Sequence, residues 1–182
     1  MKPQTPRLPE GAPAPEFEAL AQDGRPFRLR DFRGRWVVLY FYPRDHTPGC
    51  TREACEFRDA HAQFQKLGAV VIGVSTDTVA SHARFAERQR LPFLLLADPD
   101  RSLVQQYGVW GRKRFMGRTI EGTLRTTFLI DPEGRIRRIW HGVRPAGHAA
   151  EVLEALRQLQ KEPMETEDRS PTPLAKARPR RS

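Results

Sequence analysis

Trp36-Val37-Val38-Leu39-Tyr40-Phe41-Tyr42-Pro43-Arg44-Asp45-His46-Thr47-Pro48-Gly49-Cys50 is the stretch on which the architecture turns. Its first seven residues are an unbroken apolar and aromatic run, the composition of a strand buried on both faces. Pro43 ends that strand, a loop carrying proline and glycine follows, and Cys50 opens the next helix. Working outward, Val70–Val74 and Thr126–Ile130 are two more such runs. The second ends at Asp131-Pro132-Glu133-Gly134, which has hairpin-turn chemistry and makes Arg135–Trp140 the returning antiparallel strand. Phe93–Leu96 is a shorter strand candidate. Helical patterns lie between these runs. Arg52–Leu67 sets Phe57, His61 and Phe64 near one face, with Gly68 as a stop. Thr78–Arg90 has Asp77 available as a cap. Arg101–Tyr107 is short and ends at Gly108, and Ala149–Gln160 carries Val152, Leu153, Leu156 and Leu159 at amphipathic spacing. Strands alternating with helices, then a hairpin and a last helix, predict an α/β sandwich around a central mixed sheet.

The chain has 182 residues, enough for one well-cored domain and too few for two. Its longest apolar stretch, Trp36–Tyr42, is far below the ~20 residues of a membrane span, and the first residues carry no apolar secretory run. A cytoplasmic protein with no membrane partner is therefore expected. Two cysteines, Cys50 and Cys55, are too few for a disulfide framework or a four-thiolate zinc site. Nine of the 16 prolines fall in Met1–Pro15 and Lys161–Ser182, which divides the chain into an extended or disordered segment (1–14), one domain (15–160) and a disordered basic tail (161–182). The 31 basic and 22 acidic residues leave a net charge of +9, and Arg169–Ser182 adds cations without acids. A basic surface attracts nucleic acid non-specifically. With no helix-turn-helix, zinc knuckle or aromatic-basic strand motif, the charge reads instead as a solvated surface.

A thiol in the first turn of a helix faces unpaired backbone N–H groups and the positive end of the helix dipole, and both favour the thiolate. Thr47 either caps the helix or turns its hydroxyl into the same pocket, where it could donate to the thiolate or meet a bound hydroperoxide. Pro43 and Pro48 stiffen the loop and shield the sulfur from water. Cys55 lies five residues on. In an intact helix that places it ~140° around and ~7.5 Å along, with Cα atoms roughly 8–9 Å apart, beyond the ~7 Å reach of a disulfide. A Cys50–Cys55 bond therefore requires the first turns to unwind. His46 beside Asp45 offers a general base or, with both thiols, a metal site; the Cys-x4-Cys spacing and the want of a fourth ligand argue against zinc. His61, His82, His141 and His148 read as surface or packing residues.

Pro43-x-x-x-Thr47-x-x-Cys50, set in Thr47-Pro48-Gly49-Cys50-Thr51-x-Glu53-Ala54-Cys55, resembles the peroxiredoxins, and within them the bacterioferritin-comigratory-protein or peroxiredoxin Q subgroup. The likeness extends through Tyr107–Gly117 and Arg125–Asp131 and covers roughly Pro15 to Leu159. It implies a thioredoxin-like sandwich. It also implies a thiol peroxidase acting on hydrogen peroxide or alkyl hydroperoxides, with Cys50 as the peroxidatic nucleophile, Thr47 on the peroxide, Pro43 shielding the sulfur and Arg125 as the active-site arginine. Cys55 falls at the resolving position of an intramolecular disulfide recycled by thioredoxin or a similar dithiol. No metal, flavin or haem is required, and a monomer is implied. Arg125 leads the strand expected beside Trp36–Tyr42, and its permanent charge can hold a thiolate and stabilise developing oxyanion charge. Glu53 takes a supporting role, and Trp110, Phe115 and Met116 form an apolar wall or simply pack. Two other classes stay open: a redox sensor or disulfide oxidoreductase, disfavoured by the missing Cys-x-x-Cys, and a nucleic-acid-binding module using the basic tail.

Overall fold

A computed structural model describes residues 7–162. Nine strands and five helices follow one another as β1 (Glu18–Ala21), β2 (Pro26–Arg28), β3 (Trp36–Phe41), α1 (Pro48–Asp59), α2 (His61–Lys66), β4 (Ala69–Ser75), α3 (Val79–Gln89), β5 (Leu94–Ala97), α4 (Ser102–Gln106), β6 (Trp110–Phe115), β7 (Arg118–Thr123), β8 (Thr126–Ile130), β9 (Ile136–Trp140) and α5 (His148–Lys161). Seven strands form one sheet in the order β2-β1-β5-β4-β3-β8-β9, while β6 and β7 pair only with each other. β3 runs parallel to β4 and antiparallel to β8. The expected α/β sandwich with a mixed central sheet is what the chain forms.

β3 is buried at all six positions because it faces a core on each side. Val38 and Tyr40 point into one core with Phe57, Phe64, Phe85, Val152 and Leu156. Val37, Leu39 and Phe41 point into the other with Ile72, Leu103, Val104, Tyr107 and Phe128. This two-residue alternation explains why the sequence run has no polar face. The N-terminal residues are tied down as well: Ala14 N–H donates to Gly134 O at 2.9 Å and Ile136 N–H to Ala12 O at 2.9 Å, so this segment lies along the entry to β9. Residues 1–6 and the greater part of the expected tail, 163–182, lie outside the described residues.

Several local expectations need correction. The helix read as Arg52–Leu67 begins earlier, at Pro48, and divides at Ala60 into α1 and α2. No glycine or proline marks the break. Two different packing surfaces produce it, α1 lying against α5 and α2 against β4. The N-cap of α3 is Thr78, whose hydroxyl accepts from Ser81 N–H at 3.2 Å; Asp77 does not cap. The hairpin β6–β7 and the short strands β1 and β2 at one end of the sheet are absent from the sequence reading. They are short or polar, and Arg112-Lys113-Arg114 offers no apolar alternation.

Close approach fixes one glycine. A Cβ at Gly73 would lie 2.8 Å from Tyr40 Cζ and 2.9 Å from Leu95 Cδ2, both in the core. Gly73→Ala is therefore expected to cost about 1–3 kcal/mol by overpacking, read as a lower urea midpoint at unchanged denaturant slope. An unshifted midpoint would show that the Tyr40 ring can move aside.

Candidate active site

The end of β3 and the start of α1 are joined by a six-residue loop. Pro43 follows the strand and is half-buried. Thr47 is the extended N-cap of α1, and Pro48 occupies the first helical position, where a missing N–H costs nothing. Cys50 is thus the third helical residue, and its sulfur is buried, with 1% of the residue exposed. The first-turn amides of Gly49 and Cys50 have no acceptor within the helix.

Arg125 stands one residue before β8. Because β8 pairs with β3 in the register Phe41↔Thr126, Arg125 comes level with the end of β3 and the loop that leaves it. Its Nη2 donates to Cys50 Sγ at 3.4 Å and its Nη1 to Glu53 Oε1 at 3.1 Å. Glu53, one helical turn beyond Cys50, presents its carboxylate on the same side. Gly49 lies against the guanidinium: a Cβ there would be in ordinary contact with Arg125 Nη2, at 3.4 Å. Burial works against the Arg125 cation, but Cys50 and Glu53 together hold its pKa above the usual range. Burial raises Glu53 to about 7 even though Arg125 pulls it down. Its second oxygen, Oε2, is buried and has no hydrogen-bond partner.

The loop is held by a network assembled from distant segments. Asp45 is buried, with Tyr42 Oη donating to its Oδ1 at 2.6 Å, Ser81 Oγ to its Oδ2 at 2.9 Å, and His82 Nδ1 lying 2.7 Å from the same Oδ2. His82 Nε2 faces Leu96 O at 3.0 Å. Asp45 N–H donates to Asp77 Oδ2 at 2.8 Å, which also accepts from Ser75 Oγ. Burial would raise the Asp45 carboxyl, but bonds from His82, Tyr42 and Ser81 hold it below its ordinary value. Asp45, Asp77 and His82 bring ligand-type atoms within 4.8 Å of one another, the arrangement among the described residues best able to hold a cation. Each of those side chains already serves the hydrogen bonds just named. Their partners span Tyr42 to Leu96, so no local motif announces the network, and His82 is not the plain packing residue that the sequence suggests. His148 is also more than packing: its Nε2 lies 2.8 Å from Thr127 Oγ1 on β8.

The other expected residues divide. Thr47 Oγ1 donates to Arg44 O at 2.9 Å; its hydroxyl therefore neither caps α1 nor reaches the sulfur in this state. Cys55 is half-buried on another side of α1, with Sγ 3.5 Å from Gln89 Oε1, and both thiols are free. His46 does not pair with Asp45; it is exposed and set edge-on to Phe85, ring centroids 5.2 Å apart. The apolar wall does not form. Phe115 and Met116 are exposed, while Trp110 packs beneath the Arg101 guanidinium at 4.4 Å.

Residues 11–139 match the AhpC/TSA family. The chain belongs to that family. Peroxiredoxin Bcp of Bacillus subtilis is 46% identical over 149 residues, 82% of this chain and 95% of that protein. Peroxiredoxin Bcp of Escherichia coli is 43% identical over 151 residues, 83% and 97% respectively. The solved structure of the Xanthomonas campestris bacterioferritin comigratory protein superposes with a TM-score of 0.76 at 39% identity, covering 80% of this chain and 92% of that one. The protein is a peroxiredoxin of the Bcp or Q type, and its sandwich is the thioredoxin-like fold of those enzymes.

Glu53 generates a test. Its folded pKa of about 7 stands above its ordinary 4.5, so between those values the folded peroxiredoxin binds more protons than the unfolded chain. Stability attributable to this group is therefore full below pH 4.5 and is lost as pH rises through 7. Across that window wild type should lose on the order of 3 kcal/mol more than Glu53→Gln in urea denaturation. Parallel pH–stability curves for the two proteins would contradict it.

Proposed function

We propose that this peroxiredoxin reduces hydrogen peroxide and alkyl hydroperoxides through Cys50. The observation that carries the reading is the Arg125 guanidinium, 3.4 Å from the Cys50 sulfur at the start of α1. The Xanthomonas campestris relative is associated by name with alkyl peroxide reduction, which supports that substrate class here. The Cys50 thiolate attacks the near peroxide oxygen, the O–O bond breaks, and the far oxygen leaves as water or alcohol once protonated. Cys50 is left as a sulfenic acid. Arg125 serves twice, first holding the thiolate and then meeting the negative charge that grows on the peroxide oxygens. Pro43 covers the sulfur from the strand side. Thr47 turns its hydroxyl from Arg44 O to the bound peroxide.

Resolution follows on the same helix. Cys55 leaves Gln89, the opening turns of α1 unwind, and Cys55 sulfur attacks the sulfenic sulfur. An S–S bond forms and water departs. A dithiol protein, of which thioredoxin is the model, exchanges with this disulfide and restores both thiols. Residues 15–160 act as the catalytic domain of a monomer working in the cytoplasm, with segments 1–14 and 161–182 outside the chemistry. No helix among the described residues is long and apolar enough to cross a membrane.

Two substitutions test the assignment. Cys50→Ser should abolish peroxide consumption. Cys55→Ser should retain a single stoichiometric turnover and then stop, with Cys50 accumulating as sulfenic acid. In wild type, mass spectrometry after an equivalent of peroxide should find Cys50 and Cys55 joined within one chain with loss of two hydrogens. A persistent sulfenic acid or a bond between chains would overturn the role of Cys55, and undiminished turnover in Cys50→Ser would overturn the whole reading.

A further inference from the structure

The hairpin β6–β7 is a separate two-stranded sheet that leaves the body of the protein after Val109 and returns at Leu124, whose N–H donates to Val109 O at 2.7 Å. Four large apolar side chains are exposed among the described residues, and three of them lie on this hairpin: Phe115 (60% exposed), Met116 (87%) and Ile120 (38%). The turn is Met116-Gly117, both with positive φ, at 49° and 77°. Met116, held in the left-handed region at the turn, buries little against the described residues. Four cations, Arg112, Lys113, Arg114 and Arg118, flank the tip against the single carboxylate Glu121.

The pairing Lys113↔Ile120 and Phe115↔Arg118 puts Phe115, Ile120, Lys113 and Arg118 on one face. At its root this face approaches the active site. Lys113 Nζ donates to Thr123 O at 3.2 Å, two residues before Arg125, and burial, helped by the Arg125 charge, lowers its pKa. Apolar groups at the point of a projecting turn, ringed by cations, form a convex shape. A protein partner would have to provide a matching acidic hollow. A fluid bilayer with anionic headgroups accepts such a shape without one, taking the apolar tip into its interfacial layer and the cations onto its phosphates.

We propose that β6–β7 is a docking finger for an anionic lipid surface, with Phe115 and Met116 entering the interface and the exposed Arg112, Arg114 and Arg118 meeting the headgroups. The sequence reading expects no membrane partner because no segment can span one; surface docking needs no span. The binding does not depend on the chemistry proposed for Cys50. Since the hairpin runs directly into Arg125, docking holds that side of the protein at the lipid surface.

Flotation of the full chain with phosphatidylcholine vesicles, with and without phosphatidylglycerol, tests this. The protein should float with the anionic vesicles, be released by high salt and ignore phosphatidylcholine alone. Phe115→Ser combined with Met116→Ser should weaken binding ~10-fold or more, with an unchanged urea midpoint. Met116→Ser alone, at a position with nothing to unfold, should also weaken it measurably. Failure of wild type to float with anionic vesicles would overturn the proposal. So would equal binding by the tip variants, which would assign the interaction to charge elsewhere on the chain.

Discussion

One guanidinium ties the candidate active site together. Arg125 issues from the sheet, Cys50 and Glu53 from a helix, and the two hydrogen bonds that join them exist only if two independent features coincide. β8 must pair with β3 in one register, because a slip of one residue turns Arg125 to the opposite face. α1 must begin at Pro48 so that Cys50 falls in its first turn. Burying an arginine beside a carboxylate is costly unless the geometry compensates. Glu53, raised to about 7 with one oxygen unpartnered, shows that the compensation is incomplete. The site holds its cation firmly by keeping Glu53 in an unfavourable setting, as expected of a group retained for chemistry.

Two sets of contacts hold the reduced state, and they differ in strength. Asp45 fastens the loop before Cys50 through buried bonds to Tyr42, Ser81 and His82. On the far side of α1, Arg58 Nη1 donates to Gln89 O at 2.7 Å, but the Cys55 thiol itself makes only a long sulfur contact to Gln89. Thiol hydrogen bonds are weak, so the Cys55 side chain is cheap to release. A rigid approach to the Cys50 sulfur and a loosely parked Cys55 thiol are what the proposed cycle of attack followed by local unwinding requires.

The sequence was most legible where burial leaves no choice. β3, β4, β8 and β9 are read within a residue or two, since both faces of the central sheet must be apolar or the returning strand follows a clear turn. Cys50 and Arg125 are found together because motif and strand placement agree. What escaped has physical causes. The Arg-rich hairpin is held by its own ladder and turn and carries no buried stripe. The division of α1 from α2 at Ala60 reflects where neighbouring elements lie. The role of His82 depends on Asp45, thirty-seven residues away in sequence, and no helical or strand period encodes it. The pairing of Asp45 with adjacent His46 fails because His46 adopts φ 64° and faces outward to Phe85.

The most direct measurement of the Arg125–Cys50 interaction is the stopped-flow second-order rate of Cys50 oxidation by hydrogen peroxide in wild type and Arg125→Met, with folding checked by urea midpoint. A guanidinium that holds the thiolate and meets developing oxyanion charge should be worth about 10²–10³ in rate. A rate within a factor of two of wild type, in a variant that still folds, would mean that the contact at 3.4 Å only fills space.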